Sequence, residues 1–465
     1  MNDSHASLYL ISRLGAAALN LLSVAVFTRL ATPAVYGGYL VGFATGFIVF
    51  ATGCQWLLHA HFGVYTPARA ARLAGALIVA LAAGTALGAA LLLGAVATHA
   101  VAPDATLGIG ILTLGFVIHV GAVELGRARL LVAQVTAAAL LRGALMLALG
   151  SGALLLAQSA SLLLIAIGLG QALAAAPVLL ALWRGGIARP EHSDIVALLR
   201  YGWPLIGALA ATALALNIDR LMLDRLGGAA LVGPYGAISD VTRQSFVVLG
   251  EAVAAAYVSQ AKALGPDVAG RRAILQRAFV TLWAIVMLGI TGWLVLGQGL
   301  LAIVLDPEFA AAAPSILPLI VLGTGALTLR AFYFGQAIYF AGSARREVGA
   351  SLLMLAVAAS GALVLIPPFG ATGAAAAFAL SQLAGLMSFL IADRRTRLMP
   401  ILPAAAGIAV ALCMLAGFVG MLLLNLHGWW AALTPVLLAA IMLGVSWDLF
   451  GARQLLAGAM ARRRQ

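Results

Sequence analysis

Charge is scarce in this chain, and lysine is the scarcest charge of all. Only 9% of its 465 residues are charged, against roughly 25% in soluble globular domains. No sizeable water-facing domain fits within such a composition. Lys262 is the only lysine, and 27 basic residues stand against 15 acidic ones. Cysteine is limited to Cys54 and Cys413. Both lie inside apolar stretches, which removes a disulfide framework and a paired-cysteine zinc site. Nucleophile-triad, Walker and paired-Cys patterns are missing as well. The chain therefore reads as a non-enzyme for which no cofactor and no metal are expected. A cleavable signal peptide is not expected either, because Arg13 interrupts the first apolar stretch and no small-residue cleavage site follows it.

What fills the chain instead is apolar sequence, 63% of all residues. Spans of about 20 residues cross a bilayer, and the length holds about fourteen of them with little between. Read in order, the first runs from Leu8 to Leu30 and turns at Ala31–Gly37, and the second ends near His59. His59 and His61 are expected at its interface. Every second gap is rich in arginine: Arg69 and Arg72, then Arg127 and Arg129, then Arg184, Arg189 and Arg200 before a seventh span starting near Trp203. Arg271, Arg272 and Arg277, then Arg345 and Arg346, then Arg394, Arg395 and Arg397 continue the series, and Arg462–Arg464 closes it. The intervening gaps, such as those around Asp104, Gln158 and Pro367–Gly373, carry little positive charge. This alternation puts both termini on the cytoplasmic side and makes the number of spans even. Net positive charge is thereby assigned to topology, and nucleic acid is not an expected partner.

Two internal echoes point to duplication. Arg29-Leu30 leading to Tyr36-Gly37 is echoed by Arg225-Leu226 leading to Tyr235-Gly236, and Gln171 before Arg184 by Gln382 before Arg394. The predicted fold is all-α: two pseudo-symmetric six-helix lobes over residues 1–184 and 201–397, two further helices over 401–451, and a basic tail over 452–465. Repeated halves with a midplane site between them are characteristic of transporters. Gly42/Gly46 and Gly84/Gly88 are small-xxx-small pairs that allow close helix approach, and Pro177, Pro314 and Pro318 are candidate kinks.

A few polar groups interrupt the spans, and each costs roughly 2.5–3.5 kcal/mol on insertion scales if it is charged. Arg13 and Asn20 share one face of the first span. In the seventh, Asn217, Arg220 and Asp224 follow an i, i+3, i+7 pattern beside Asp219; in the eighth, Asp240, Arg243 and Glu251 fall on one broad face. Arg142 and Arg330 are isolated cations, and no acid lies within a turn of Arg13 or Arg330. The structural alternatives are an interfacial cluster of Asp219, Arg220, Asp224 and Arg225, an Asp240–Arg243 pair, and snorkelling of Arg142. Positive groups outnumber negative ones in this set, which suits an anionic cargo. Guanidinium stays charged when buried and bonds phosphate oxygens in a bidentate manner. Arg13, Arg330, Arg220, Arg243, Asn20 and Asn217 are the candidate substrate residues, and Asp240, Glu251 and Asp219 the candidate ion-coupling carboxylates.

One stretch resembles a known family. Phe27-Thr28-Arg29-Leu30-Ala31-Thr32-Pro33-Ala34-Val35-Tyr36-Gly37-Gly38-Tyr39 is similar to the first outer turn of the polysaccharide-biosynthesis, Wzx-type, lipid-linked oligosaccharide flippases of the MATE-like exporter superfamily. Arg200-Tyr201-Gly202-Trp203-Pro204-Leu205 resembles the start of that family's second lobe. Asn217-Ile218-Asp219-Arg220 with Val232-Gly233-Pro234-Tyr235-Gly236 resembles its most characteristic segment. Asp306-Pro307-Glu308-Phe309 and the Pro367–Ala374 turn are similar to its later outer loops. The resemblance implies an ion-coupled flippase that moves a polyprenyl-diphosphate-linked oligosaccharide, an O-antigen or exopolysaccharide repeat unit, to the periplasmic leaflet by alternating access. Its implied partners are the bilayer, that glycan and a polymerase or export machinery in the same membrane. The chain departs from the family in its poverty of lysine and buried acids. The competing readings are a cation-coupled small-molecule exporter and a membrane-embedded glycan polymerase or ligase, which would need a longer outer loop or a carboxylate motif.

The topology is directly testable. Single cysteines placed at Arg189 or Arg272 are expected to react with a membrane-impermeant maleimide only after the inner face is exposed; labelling of intact spheroplasts from the periplasmic side would reverse the orientation.

Overall fold

A computed structural model describes residues 3–265, 267–337, 340 and 345–401. Among the described residues the chain is helical, with no strand. Nine helical runs among the described residues are long and apolar enough to cross a membrane. The expected spans over 401–451 and the tail over 452–465 lie outside the described residues. The helices are α1 (Asp3–Leu30), α2 (Pro33–Val64), α3 (Ala70–Ala97), α4 (Thr106–Ala128), α5 (Val132–Leu156), α6 (Ala160–Arg184) and α7 (His192–Ala215). They continue as α8 (Ile218–Gly227), α9 (Ala229–Ala263), α10 (Val268–Val304), α11 (Pro307–Ala310), α12 (Ala313–Phe332) and α13 (Arg345–Thr396). Two compact units divide the chain: residues 1–237 with 305–309 and 358–374, and residues 238–304 with 310–357 and 375–401.

Several boundaries move from where the sequence places them. The first turn is confined to Ala31 and Thr32, because Thr32 caps α2 by accepting from the Val35 amide (3.4 Å) and Pro33 fills the first turn, where its missing N–H is not needed. α2 continues past His59 to Val64, and a wider π-type turn at Ala51–Gln55 interrupts its ladder. His61 is buried, with its ring 5.7 Å from that of Tyr65, while His59 is exposed. Pro177 stands in the first turn after a break at Ala175, and Pro318 lies within α12. At Pro367–Gly373 the chain stays helical except at Gly370, whose φ of 54° and ψ of −127° mark a kink; glycine occupies that conformation without Cβ strain.

α7 begins at His192, well before Trp203, so Arg200 lies within a helix. A reciprocal cap starts it: Glu191 accepts from the third residue's backbone while Asp194 accepts from the Glu191 amide (3.1 Å). Those two acids also meet the arginines ahead of α3. Arg69 pairs with the fully buried Asp194, Arg72 pairs with Glu191, and Arg72 Nε lies 3.5 Å from Asp194. The Ala188 amide donates to the Ala71 carbonyl (3.1 Å), which ties the same two segments through backbone. Arginines that read as topology markers therefore also clip the start of α7 to the first unit.

Close backbone approach governs packing in the first unit. A Cβ on Gly84 would strike the Gly53 carbonyl, and one on Gly88 would lie 3.1 Å from Val49. Phe43, Phe47 and Phe50 of α2 gather around Phe116 of α4, with ring centroids 5.3 to 5.9 Å apart. The tightest crossing joins α2 to the start of α9: a Cβ on Gly37 would strike the Ala229 carbonyl, and one on Gly233 the Pro33 carbonyl. Neither obstacle is a side chain that can rotate away. Gly233→Val and Gly37→Leu are each expected to cost about 1–3 kcal/mol and to lower the melting temperature in detergent; unchanged melting of both variants would show that the crossing yields.

Candidate substrate and ion sites

The first unit brings one group of the candidate residues together. Leu216 and Asn217 break the helix between α7 and α8, so Asn217 is the capping residue of α8 rather than a member of a continuous helical face. Its Nδ2 donates to the Ala213 carbonyl (2.8 Å), the kind of local side-chain bond that competes with helix propagation. Asp219 follows in the first turn of α8, where the helix dipole favours a carboxylate. It is 3% exposed, accepts from the Arg220 amide (2.9 Å), and takes a hydrogen bond from the Tyr235 hydroxyl of α9. Arg220 is 5% exposed, and its Cζ would lie 3.9 Å from a Cβ on Gly236. The segment Val232–Gly236 thus has a physical logic: Gly233 lets α9 reach α2, Tyr235 holds Asp219, and Gly236 makes room for the Leu40 side chain of α2. At the far end of α8, Arg225 Nη2 donates to the His99 carbonyl (3.3 Å). Asp224, with intermediate exposure, has its carboxyl pushed above the usual range by burial, an effect that Arg225 opposes.

The second unit holds the others in separate places. Asp240, Arg243 and Glu251 all project from α9 with intermediate exposure. The Arg243 guanidinium lies 4.1 Å over the Phe378 ring, a cation–π contact. Arg330 sits in the last turn of α12, where a cation suits the helix terminus. It is 4% exposed, and Nη1 lies 3.4 Å from Glu347 at the start of α13. The acid that the sequence lacks within a turn of Arg330 thus arrives from the next helix, 17 residues on. In α1, Asn20 has intermediate exposure, and the Arg13 side chain lies outside the described residues.

Tyr235, Phe378 and Glu347 escape a sequence reading that seeks partners within one helix. Their contacts are made between helices, and only the Gly-Pro-Tyr-Gly signature around Tyr235 marks one of them in advance. No group of three or more His, Cys, Asp and Glu among the described residues could hold a metal ion.

No family model matches the chain, and no curated protein matches it. Solved structures do. An inward-closed structure of the lipid II flippase MurJ aligns with a TM-score of 0.73 at 10% identity, over 95% of this chain and 99% of that one. An inward-facing multidrug resistance MATE family transporter of the MOP superfamily aligns at 0.63, 13% identity, over 84% and 98%. The MATE multidrug transporter DinF-BH aligns at 0.56, 15% identity, over 85% and 95%.

The chain has the fold of the MOP-superfamily transporters.

In that fold the Tyr235 hydroxyl holds Asp219 at the start of α8. Tyr235→Phe removes a hydrogen bond to a charged group, worth roughly 1.5–3 kcal/mol. It is expected to lower the melting temperature while leaving helix content unchanged; a wild-type melt would show that Asp219 does not depend on that hydroxyl.

Proposed function

We propose that the protein is a flippase that carries a polyprenyl-diphosphate-linked oligosaccharide, such as an O-antigen or exopolysaccharide repeat unit, from the cytoplasmic to the periplasmic leaflet of a bacterial inner membrane. The observation that carries this reading is the likeness to a lipid II flippase along 99% of that chain, in a sequence whose intramembrane charge is predominantly arginine. The Wzx-type motifs of the sequence supply the oligosaccharide class. In this reading residues 1–184 and 201–397 form the two lobes, both termini face the cytoplasm, and a glycan polymerase or export machinery works in the same membrane. Arg13, Arg220, Arg243 and Arg330, with Asn20 and Asn217, contact the diphosphate and the first sugars. Asp240 and Glu251 couple the cycle to an ion gradient, with Asp219 as the third candidate.

The same fold carries multidrug transporters, so a cation-coupled exporter is the competing reading. Reconstituted protein with a fluorescent polyprenyl-diphosphate oligosaccharide separates the two. The flippase reading expects translocation that falls roughly tenfold or more in Arg220→Ala, Arg243→Ala and Arg330→Ala at matched protein level, since one charged hydrogen bond is worth about 1.5–3 kcal/mol. The corresponding lysine variants, which keep charge but lose the fork, are expected to fall less. Asp240→Asn with Glu251→Gln is expected to remove the dependence on an imposed gradient. Gradient-driven accumulation of a cationic dye without glycan translocation would instead establish the exporter.

A further inference from the structure

Gln171 and Gln382, which echo each other in the two halves of the sequence, are 1% and 0% exposed. In both, the carboxamide nitrogen and oxygen find no hydrogen-bond partner among the described residues. An unsatisfied buried amide is costly, and its repetition at matching places calls for a cause. Each glutamine lies 52 residues after a basic side chain, His119 in the first unit and Arg330 in the second.

The two neighbourhoods differ in charge balance. Beside Gln382, a Cβ on Gly385, one turn on, would lie 3.0 Å from Arg330 Cδ, and that guanidinium is paired with Glu347. In the first unit the cation has moved to the neighbouring helix. A Cβ on Gly108 would meet Ser161, and one on Gly115 would meet Gly168; this register sets His119 of α4 level with Gln171 of α6. A Cβ on Gly126 would lie 2.9 Å from Val135, and one on Gly170 about 3.4 Å from Leu145; these set Arg142 of α5 at the same level. The His119 ring lies against the Gln171 backbone and feels the charge of Arg142, and Arg142 in turn acts on Tyr39. His119 is 5% exposed, and its Nδ1 has no partner among the described residues.

No described carboxylate pairs with Arg142. The sequences of α2, α4, α5 and α6 contain a single acid, Glu124, which is coupled to Arg127. A permanent cation, an imidazole nitrogen and an amide N–H₂ are thus gathered at one depth with nothing negative to receive them. The guanidinium and the amide N–H₂ can both donate to one anion, and the imidazole, whose other nitrogen serves the Gln171 carbonyl, joins them only by taking up a proton at Nδ1. We propose that His119, Arg142 and Gln171 bind a small inorganic anion of the chloride type within the first unit. In the second unit Glu347 supplies the negative charge from the chain itself. Arg142, with intermediate exposure, is the side from which an ion enters.

The test uses the purified full-length protein in nanodiscs, melted in sodium gluconate and in sodium chloride or bromide at equal ionic strength. A bound anion stabilises the folded state as its concentration passes its Kd. Wild type is expected to melt at a temperature that rises saturably with chloride and with bromide. Arg142→Gln and Gln171→Met should lose that dependence, and Arg189→Gln, on the exposed loop before α7, should keep it. Bromide should give anomalous density between α4, α5 and α6. The proposal is overturned by equal melting in gluconate and halide, or by a chloride shift that survives in whichever of the two site variants folds. No cargo enters the readout, so failure here leaves the flippase reading standing, and a failed glycan assay leaves this site standing.

Discussion

The crossing of α2 and α9 is the contact on which the first unit's polar architecture depends. Two backbones touch there at Gly37 and Gly233, a distance that only the absence of both β-carbons permits. The crossing fixes the rotation of α9 and so aims Tyr235 at Asp219. Asp219 in turn accepts the Arg220 amide and anchors the first turn of α8. A bulky residue at either glycine would therefore displace a hydrogen bond one turn away as well as an apolar contact. Such coupling follows from the medium: apolar burial gives no drive between helices in lipid, and packing and hydrogen bonds carry the association.

The arginines divide by how their charge is met. Arg69 and Arg72 meet Asp194 and Glu191 across a connection more than a hundred residues long, so the start of α7 is held by ion pairs, one of them to a carboxylate with no exposure at all. A buried carboxylate that loses its partner is penalised far more than a surface one, which makes Arg69 the member of this clip with the most consequence. Arg243 is met by an aromatic face, Arg330 by Glu347, and Arg225 by a backbone carbonyl.

Much of this was legible in the sequence, because bilayer length and arginine alternation are properties of composition along the chain. The helix runs, the gaps and the small-residue pairs followed from that pattern, and Gly84/Gly88 does face Gly53 and Val49. What escaped were events that depend on two helices at once. Asn217 has helical spacing to Arg220, yet its side chain bonds to Ala213 and the helix breaks there. Arg200 lies in a polar stretch that reads as a gap, yet the Glu191–Asp194 cap carries helix through it. Arg330 looks isolated because its acid is on the following helix.

Two halves of a sequence that echo each other need not keep the same chemistry at matching places, and the glutamines show how these part. Gln171 and Gln382 retain the same surroundings of small residues, since only a narrow neighbour such as Gly168 or Gly385 lets a second helix come near enough to bury them. The cation beside them has changed helix, from the span carrying Arg330 in the second half to the span carrying Arg142 in the first. Moving a fixed charge by one helix keeps the local field positive but separates it from the acid that answers it, because Glu347 has Thr136 as its sequence counterpart by the same spacing that relates the glutamines. Thr136 is buried, and its hydroxyl makes no bond among the described residues. Where the second unit closes its charge balance internally, the first has exchanged a carboxylate for a hydroxyl. Under the anion-site proposal, a bound ion meets the charge of Arg142 where Glu347 meets that of Arg330.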